Sequence, residues 1–215
     1  MNRKFQVCLR RGLCRSGFRF QVFLLVIMTM ILFSCQRNYT PRPQAYFRID
    51  FPEKEYQMYD SISCPFTFEY PLYGRLVHVT PPSSDSCWMN IVFPKYRGTI
   101  HLTYRKIDND FDRHIENNWK IIFSGIAQKA DAVDDHPHVD PEKNVFGTLF
   151  DIRGNAASSA LFFVTDTVKN FLRGSLYFSV RPNQDSLAPV VAFFREDIVH
   201  LMKTVRWKEE VKTKK

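Results

Sequence analysis

A chain of 215 residues with 45% hydrophobic and 24% charged side chains has the composition of a folded protein, long enough for one domain with a core, which excludes a disordered or fibrous chain. The net charge of +8 is not a nucleic-acid signal, because six of the thirty basic residues (Arg3, Lys4, Arg10, Arg11, Arg15 and Arg19) and no acidic ones precede Cys35. From Cys35 onward the chain carries 24 basic against 22 acidic side chains, which leaves nothing to neutralise a phosphate backbone.

Behind the basic stretch, residues 20–33 form an almost unbroken apolar run that ends at Ser34-Cys35. The run is short for a membrane-spanning helix, which needs about 20 apolar residues, and a basic then apolar order is that of an export signal. Leu32-Phe33-Ser34-Cys35 resembles a bacterial lipobox, with Phe33 bulkier than usual. Residues 1–34 are therefore expected to be a signal peptide, and Cys35 the lipid-bearing first residue of the mature protein. The competing reading is an uncleaved signal anchor with Cys35 an ordinary thiol. Acyl chains would anchor firmly, since each buried methylene contributes ~0.8 kcal/mol. Gln36-Arg37-Asn38-Tyr39 adds no acidic cluster, so a periplasm-facing position is expected on the inner or outer membrane.

Residues 35–45, with Pro41 and Pro43, read as an extended tether, and residues 46–207 as a single globular domain. Cys64 and Cys87 are the two thiols left in an oxidising compartment, where they would pair, buried free thiols being the alternative. Too few thiols remain for a four-cysteine zinc site. Strands are expected over 46–51 and 66–70, each closed by a proline, and over 75–79. Residues 81–86 form a polar loop, and 87–93 and 98–104 a hairpin.

The period then changes. Phe111, Ile115, Trp119, Ile122, Phe123 and Ile126 recur at helical spacing, predicting an amphipathic helix over 110–129 capped by Asp108 or Asp110. Trp88 and Trp119 are expected in the core. A polar loop over 134–142 leads to a meander of strands over 145–153, 157–165 and 171–180, turning at Gly154-Asn155 and Asp166-Thr167. The final helix opens at Asp185 with Pro189 in its first turn. It carries an apolar stripe of Val190, Val191, Phe194, Ile198, Leu201, Met202 and Val205, ahead of a basic tail over 208–215. Strands in runs with a central and a C-terminal helix predict an α+β fold, a mainly antiparallel sheet with helices packed on it. The order resembles the α/β/α sandwich of Mog1 and PsbP-like proteins.

Several patterns bear on chemistry. His136-Pro137-His138 with Asp134, Asp135 and Asp140 has metal-ligand types but no third ligand at defined spacing, so a solvated loop is the expectation. Asp108, Asp110 and Asp112 alternate like calcium ligands without the glycine and distal glutamate such a loop needs. Ser158, Ser159 and Asp166 lack a nucleophile elbow. No catalytic residue, metal or cofactor is expected. Asn155 and Arg173 are the polar residues singled out for partner binding, because each interrupts a turn or strand otherwise explained by packing.

Tyr46-Phe47-Arg48-Ile49-Asp50, Asn90-Ile91-Val92-Phe93-Pro94-Lys95, Gly154-Asn155-Ala156-Ala157-Ser158-Ser159, Phe171-Leu172-Arg173-Gly174-Ser175-Leu176-Tyr177-Phe178 and Pro182-Asn183-Gln184-Asp185-Ser186-Leu187-Ala188-Pro189 together resemble the gliding-motility lipoprotein GldD family of the Bacteroidetes. The likeness spans nearly the whole mature domain. It implies a lipoprotein associated with gliding motility and the type IX secretion apparatus and no known catalytic residue, so the expectation is a non-enzymatic protein held to the membrane by its lipid, with partners in that apparatus. A small lipid-anchored envelope enzyme or ligand-binding module is the alternative.

Overall fold

The computed structural model describes residues 21–28, 48–80, 86–122, 129–181 and 183–208. The chain divides into two units, Met1–Ala45 and Tyr46–Lys215. In the first, residues 21–28 of the apolar run are helical and solvent-exposed, whereas Cys35 lies outside the described residues. No described helix is long and apolar enough to cross a membrane.

The second unit is an antiparallel α+β fold. Strands β1 (Tyr56–Asp60), β2 (Phe66–Pro71), β3 (Arg75–Val79), β4 (Ser86–Phe93) and β5 (Gly98–Lys106) come first. Helix α1 (Phe111–Ile121) is next, then β6 (Ala130–Asp140), β7 (Val145–Gly154), β8 (Ser158–Thr165), β9 (Asn170–Phe178), helix α2 (Gln184–Thr204) and β10 (Arg206–Trp207). Seven strands form one sheet in the order β3-β4-β5-β9-β8-β7-β6, and β1, β2 and β10 form a second. The meander and the hairpin of β4 and β5 thus fall where the alternation places them. Gly154 turns β7 at φ +109°, a conformation that side chains other than glycine's rarely adopt.

Because side chains alternate across a strand, the large sheet has two unlike faces. One carries Met89, Ile91, Phe93, Ile100, Leu102, Phe162, Val164, Leu172 and Leu176 against the α2 stripe and against Phe66 and Phe68 of the small sheet. Phe66, Phe68, Phe93, Phe162 and Phe194 are fully buried, each contributing about 2 kcal/mol through lost contact with water. Gly174 lets the sheet close here, since a Cβ would stand 2.2 Å from the Phe162 ring. The other face carries a smaller cluster of Phe150, Ile152, Ala156 and Leu161 beneath Ile122, which α1 delivers. Cys64, just ahead of β2, is disulfide-bonded to Cys87 of β4 at a Cα separation of 5.9 Å, tying the two sheets together.

Several sequence expectations are corrected. Of the strand expected over 46–51, residues 48–51 have no regular structure, the remainder lies outside the described residues, and β1 begins only at Tyr56. The nearby Phe51 instead stacks on Phe193 at 4.3 Å between ring centroids. The stretch 134–142 is not a loop, because residues up to Asp140 belong to β6. An edge strand has one row of backbone groups facing solvent, so Pro137 and the flanking charges fit it. Helix α1 spans Phe111–Ile121, Lys129 already leads into β6, and Phe123 and Ile126 of the expected helix lie outside the described residues. Asp110 precedes α1 but makes no side-chain cap. Trp119 is 41% exposed, lying across Phe150 at the rim rather than in the core, and Trp88 is half-buried. Helix α2 starts at Gln184, with Asn183 accepting from the Ser186 N–H, so Pro189 falls inside the helix. The loop over 81–85 and the tail from 209 lie outside the described residues.

Candidate functional site

The second face of the large sheet is only partly covered. Helix α1 lies over it through three side chains one helical turn apart, His114, Asn118 and Ile122, the spacing that puts residues on a single stripe. His114 stacks on Phe171 at 5.2 Å and Trp119 meets Phe150 edge-on at 5.3 Å. Between α1 and strands β4, β5 and β9 a cavity of about 610 Å³ remains open. That volume is within the range of small-ligand sites, roughly 300 to 1,000 Å³.

Its chemistry is one-sided. Among the described residues, Arg105, Lys120 and Arg173 line it, and no aspartate or glutamate does. Arg173 stands opposite Thr103 on β5, and Arg105 opposite Phe171 on β9, so the two guanidiniums are diagonal neighbours on one face. Burial pulls the Arg173 pKa below its ordinary value; Tyr177 partly offsets this and Arg105 adds to it, with no carboxylate among its electrostatic neighbours. Elsewhere in the lining, His101 Nδ1 meets Asn90 Oδ1 at 2.8 Å.

The cavity wall also contains orphaned polar atoms. Asn118 is 2% exposed, and neither its Nδ2 nor its Oδ1 has a hydrogen-bond partner. Trp88 Nε1 is likewise buried and unpartnered. A buried polar group left unpaired costs roughly 1–3 kcal/mol, so an amide with both ends unsatisfied is an unusual expense for a fold to carry. His114 Nε2 is 3.3 Å from Asp110 Oδ1 without hydrogen-bond geometry.

Arg173 thus lies in a cavity with other cations, whereas Asn155 does not reach it. The Asn155 side chain accepts from the Gln184 N–H at 3.1 Å, joining the β7–β8 turn to the start of α2. The histidine motif on β6 is dispersed: His136 Nε2 and Arg195 Nε both contact Asp151 Oδ2, at 2.9 and 2.6 Å. Asp134 pairs with Arg153 and Asp140 with Lys143. Among the described residues, no group of three His, Cys, Asp or Glu side chains is arranged to hold a metal ion. Ser158 is buried and donates to the carbonyls of Ala160 and Leu176, so its hydroxyl is committed to the sheet. Asp166 is a turn residue: burial raises its pKa, but the N–H groups of Asn170, Lys169 and Val168 outweigh that and hold it below the usual carboxylate range.

Sequence reasoning missed Asp197. It is 1% exposed within α2, bonded to Lys54 Nζ at 2.7 Å and to the hydroxyls of Tyr56 and Tyr73 at 3.0 and 2.5 Å. Burial, reinforced by Asp197, pushes both tyrosines well above their ordinary pKa. Lys54 also sits over the Phe193 ring. The available signal was spacing: 190, 194, 197 and 201 fall on the buried side of a helix.

Fold and site define a class, an antiparallel α+β domain with one packed sheet face and a cationic cavity under a helix on the other. The chain belongs to the family described as gliding motility lipoprotein GldD, which matches residues 36–207. It is therefore a membrane-anchored lipoprotein of gliding motility. No curated protein sequence matches the chain. One solved structure similar to it is the solution structure of cyanobacterial PsbP (CyanoP) from Synechocystis sp. PCC 6803, with a TM-score of 0.45 and 10% identity, covering 73% of this chain and 94% of that one.

Proposed function

We propose that this lipoprotein faces the periplasm and serves the gliding and type IX secretion apparatus by binding other envelope components, without catalysis of its own. The observation that carries this reading is the family match over 36–207, which begins at the residue after Cys35. The lipid-bearing Cys35 would then precede the binding domain, with residues 36–45 as the tether between them. The Cys64–Cys87 disulfide supports an oxidising compartment, since disulfides persist where thiols are not kept reduced. Support for binding comes from the cavity, whose lining supplies donors and rings. Of its histidines, His101 is held by Asn90 and His114 is stacked on Phe171.

The test is deletion of the gene in its native bacterium, then complementation with the wild type or with Cys35→Ser. Surface spreading and adhesin export should stop on deletion and return only with the wild type. Labelled palmitate should enter the wild type and not the variant. Normal spreading and normal secretion without the gene would overturn the reading.

A further inference from the structure

The cationic cavity has requirements that narrow its occupant. Among the described residues its lining contains Arg105, Lys120 and Arg173 and no acidic side chain, so the complementary ligand is an anion. A planar carboxylate matches the fork of donors that a guanidinium presents, and Arg173 makes no hydrogen bond or ion pair that would compete among the described residues. Asn118 adds a stricter condition. Its Nδ2 needs an acceptor and its Oδ1 needs a donor, and both are unsatisfied. Sulfate or a fully ionised phosphate ester offers acceptors only, whereas an extended residue of a peptide turns its own N–H and C=O to the same side.

We propose that this cavity binds the carboxyl-terminal end of a peptide, Arg173 holding the terminal carboxylate and Asn118 the N–H and C=O of the residue before it. The proposal rests on reading the cavity as a binding site, and it stands apart from the role in motility. Arg105 adds charge from the diagonal position, and Trp88 and Phe171 supply apolar surface for the last side chain, with Trp88 Nε1 as a further donor. The Asn118 amide is out of reach of water in the unliganded protein, so α1 rides outward slightly to admit the ligand.

The experiment is isothermal titration of the lipidated full chain in detergent micelles with a set of N-acetyl-alanyl dipeptides differing in the last residue. Each is tested as the free acid and as its carboxamide, and inorganic phosphate is titrated separately. Some of the acids should bind, their carboxamides at least about tenfold more weakly, and phosphate not measurably. Arg173→Gln should weaken acid binding about 10- to 100-fold, the range expected when a charged hydrogen-bond partner is lost. Arg173→Lys should restore little, because it keeps the charge and loses the fork. Asn118→Leu separates ligand recognition from a structural role: it should raise the melting temperature by removing an orphaned amide while weakening acid binding. Fusing the best dipeptide to the tail of a folded carrier distinguishes the sources, since equal affinity identifies protein chain ends and loss of binding identifies free peptides. Binding of no acid, equal binding of acids and carboxamides, binding of phosphate alone, or Asn118→Leu gaining stability with unchanged affinity would overturn the proposal. None of these outcomes depends on whether deletion stops gliding.

Discussion

Replacing Lys54 by methionine isolates the most heavily buried charge in the domain. The change keeps most of the apolar stem over Phe193 and removes the cation 2.7 Å from Asp197, which is 1% exposed. Breaking a buried ion pair by deleting one partner costs roughly 3–5 kcal/mol, because the other charge is left in a medium that cannot solvate it. Two features reduce that figure. The Lys54 side chain is 25% exposed, so part of the attraction is already screened, and the hydroxyls of Tyr56 and Tyr73 continue to donate to Asp197. A loss of about 2–3 kcal/mol is expected. With a urea dependence of about 2 kcal/mol per molar, the unfolding midpoint at pH 7 should fall by roughly 1–1.5 M. Equilibrium urea unfolding monitored by circular dichroism reads this directly. The double variant Lys54→Met with Asp197→Leu should recover at least half the loss, since neither charge then remains buried. A single-variant loss below about 0.5 kcal/mol, or a double variant worse than Lys54→Met alone, would refute this view of Asp197 as a charge held by its partners.

Opening the Cys64–Cys87 bridge, by replacing both residues with serine, should lower stability by about 3 kcal/mol, the chain-entropy value for a loop spanning 23 residues. The wild type in reductant should match the variant in denaturant titrations. Asp166 gives a pH dependence whose sign is fixed by its depressed pKa. Its contribution is fully present above the ordinary carboxylate value of about 4 and is lost as pH falls through the folded value. Asp166→Ala should therefore cost about 2 kcal/mol at pH 7 and progressively less below pH 4, measured by urea midpoints across that range. Gly174→Ala should destabilise by at least about 2 kcal/mol, because the added methyl collides with Phe162 and approaches Leu102 in a packed layer; a thermal melt within a degree of wild type would contradict that crowding.

Much of the fold is legible because long-range packing and local pattern agree. The hairpin over β4 and β5, the meander of β7, β8 and β9, and the α2 stripe each carry a period that admits one buried face. The expectations that failed did so where tertiary context set the outcome. Aromatic residues near position 50 look like a strand, yet Phe51 serves by stacking on Phe193 of α2, and no local rule reveals that partner. A polar segment with Pro137 looks like a loop, yet it closes the sheet as β6, because an edge tolerates what a central strand rejects. Trp119 shares its period with buried residues but falls at the end of the covered face. Of the candidate site, Arg173 was visible as a cation interrupting an apolar strand. Asn118 was not, because an asparagine on an amphipathic helix reads as solvated until the sheet beneath it is known.

The most direct measurement complements the deleted gene with Arg105→Gln and Arg173→Gln together, with palmitate labelling and membrane amount checked against wild type. A domain that serves motility by binding through its cationic cavity should reach the membrane at normal level and fail to restore surface spreading. Full restoration by that double variant, at normal abundance, would contradict the assignment of function to this face of the sheet.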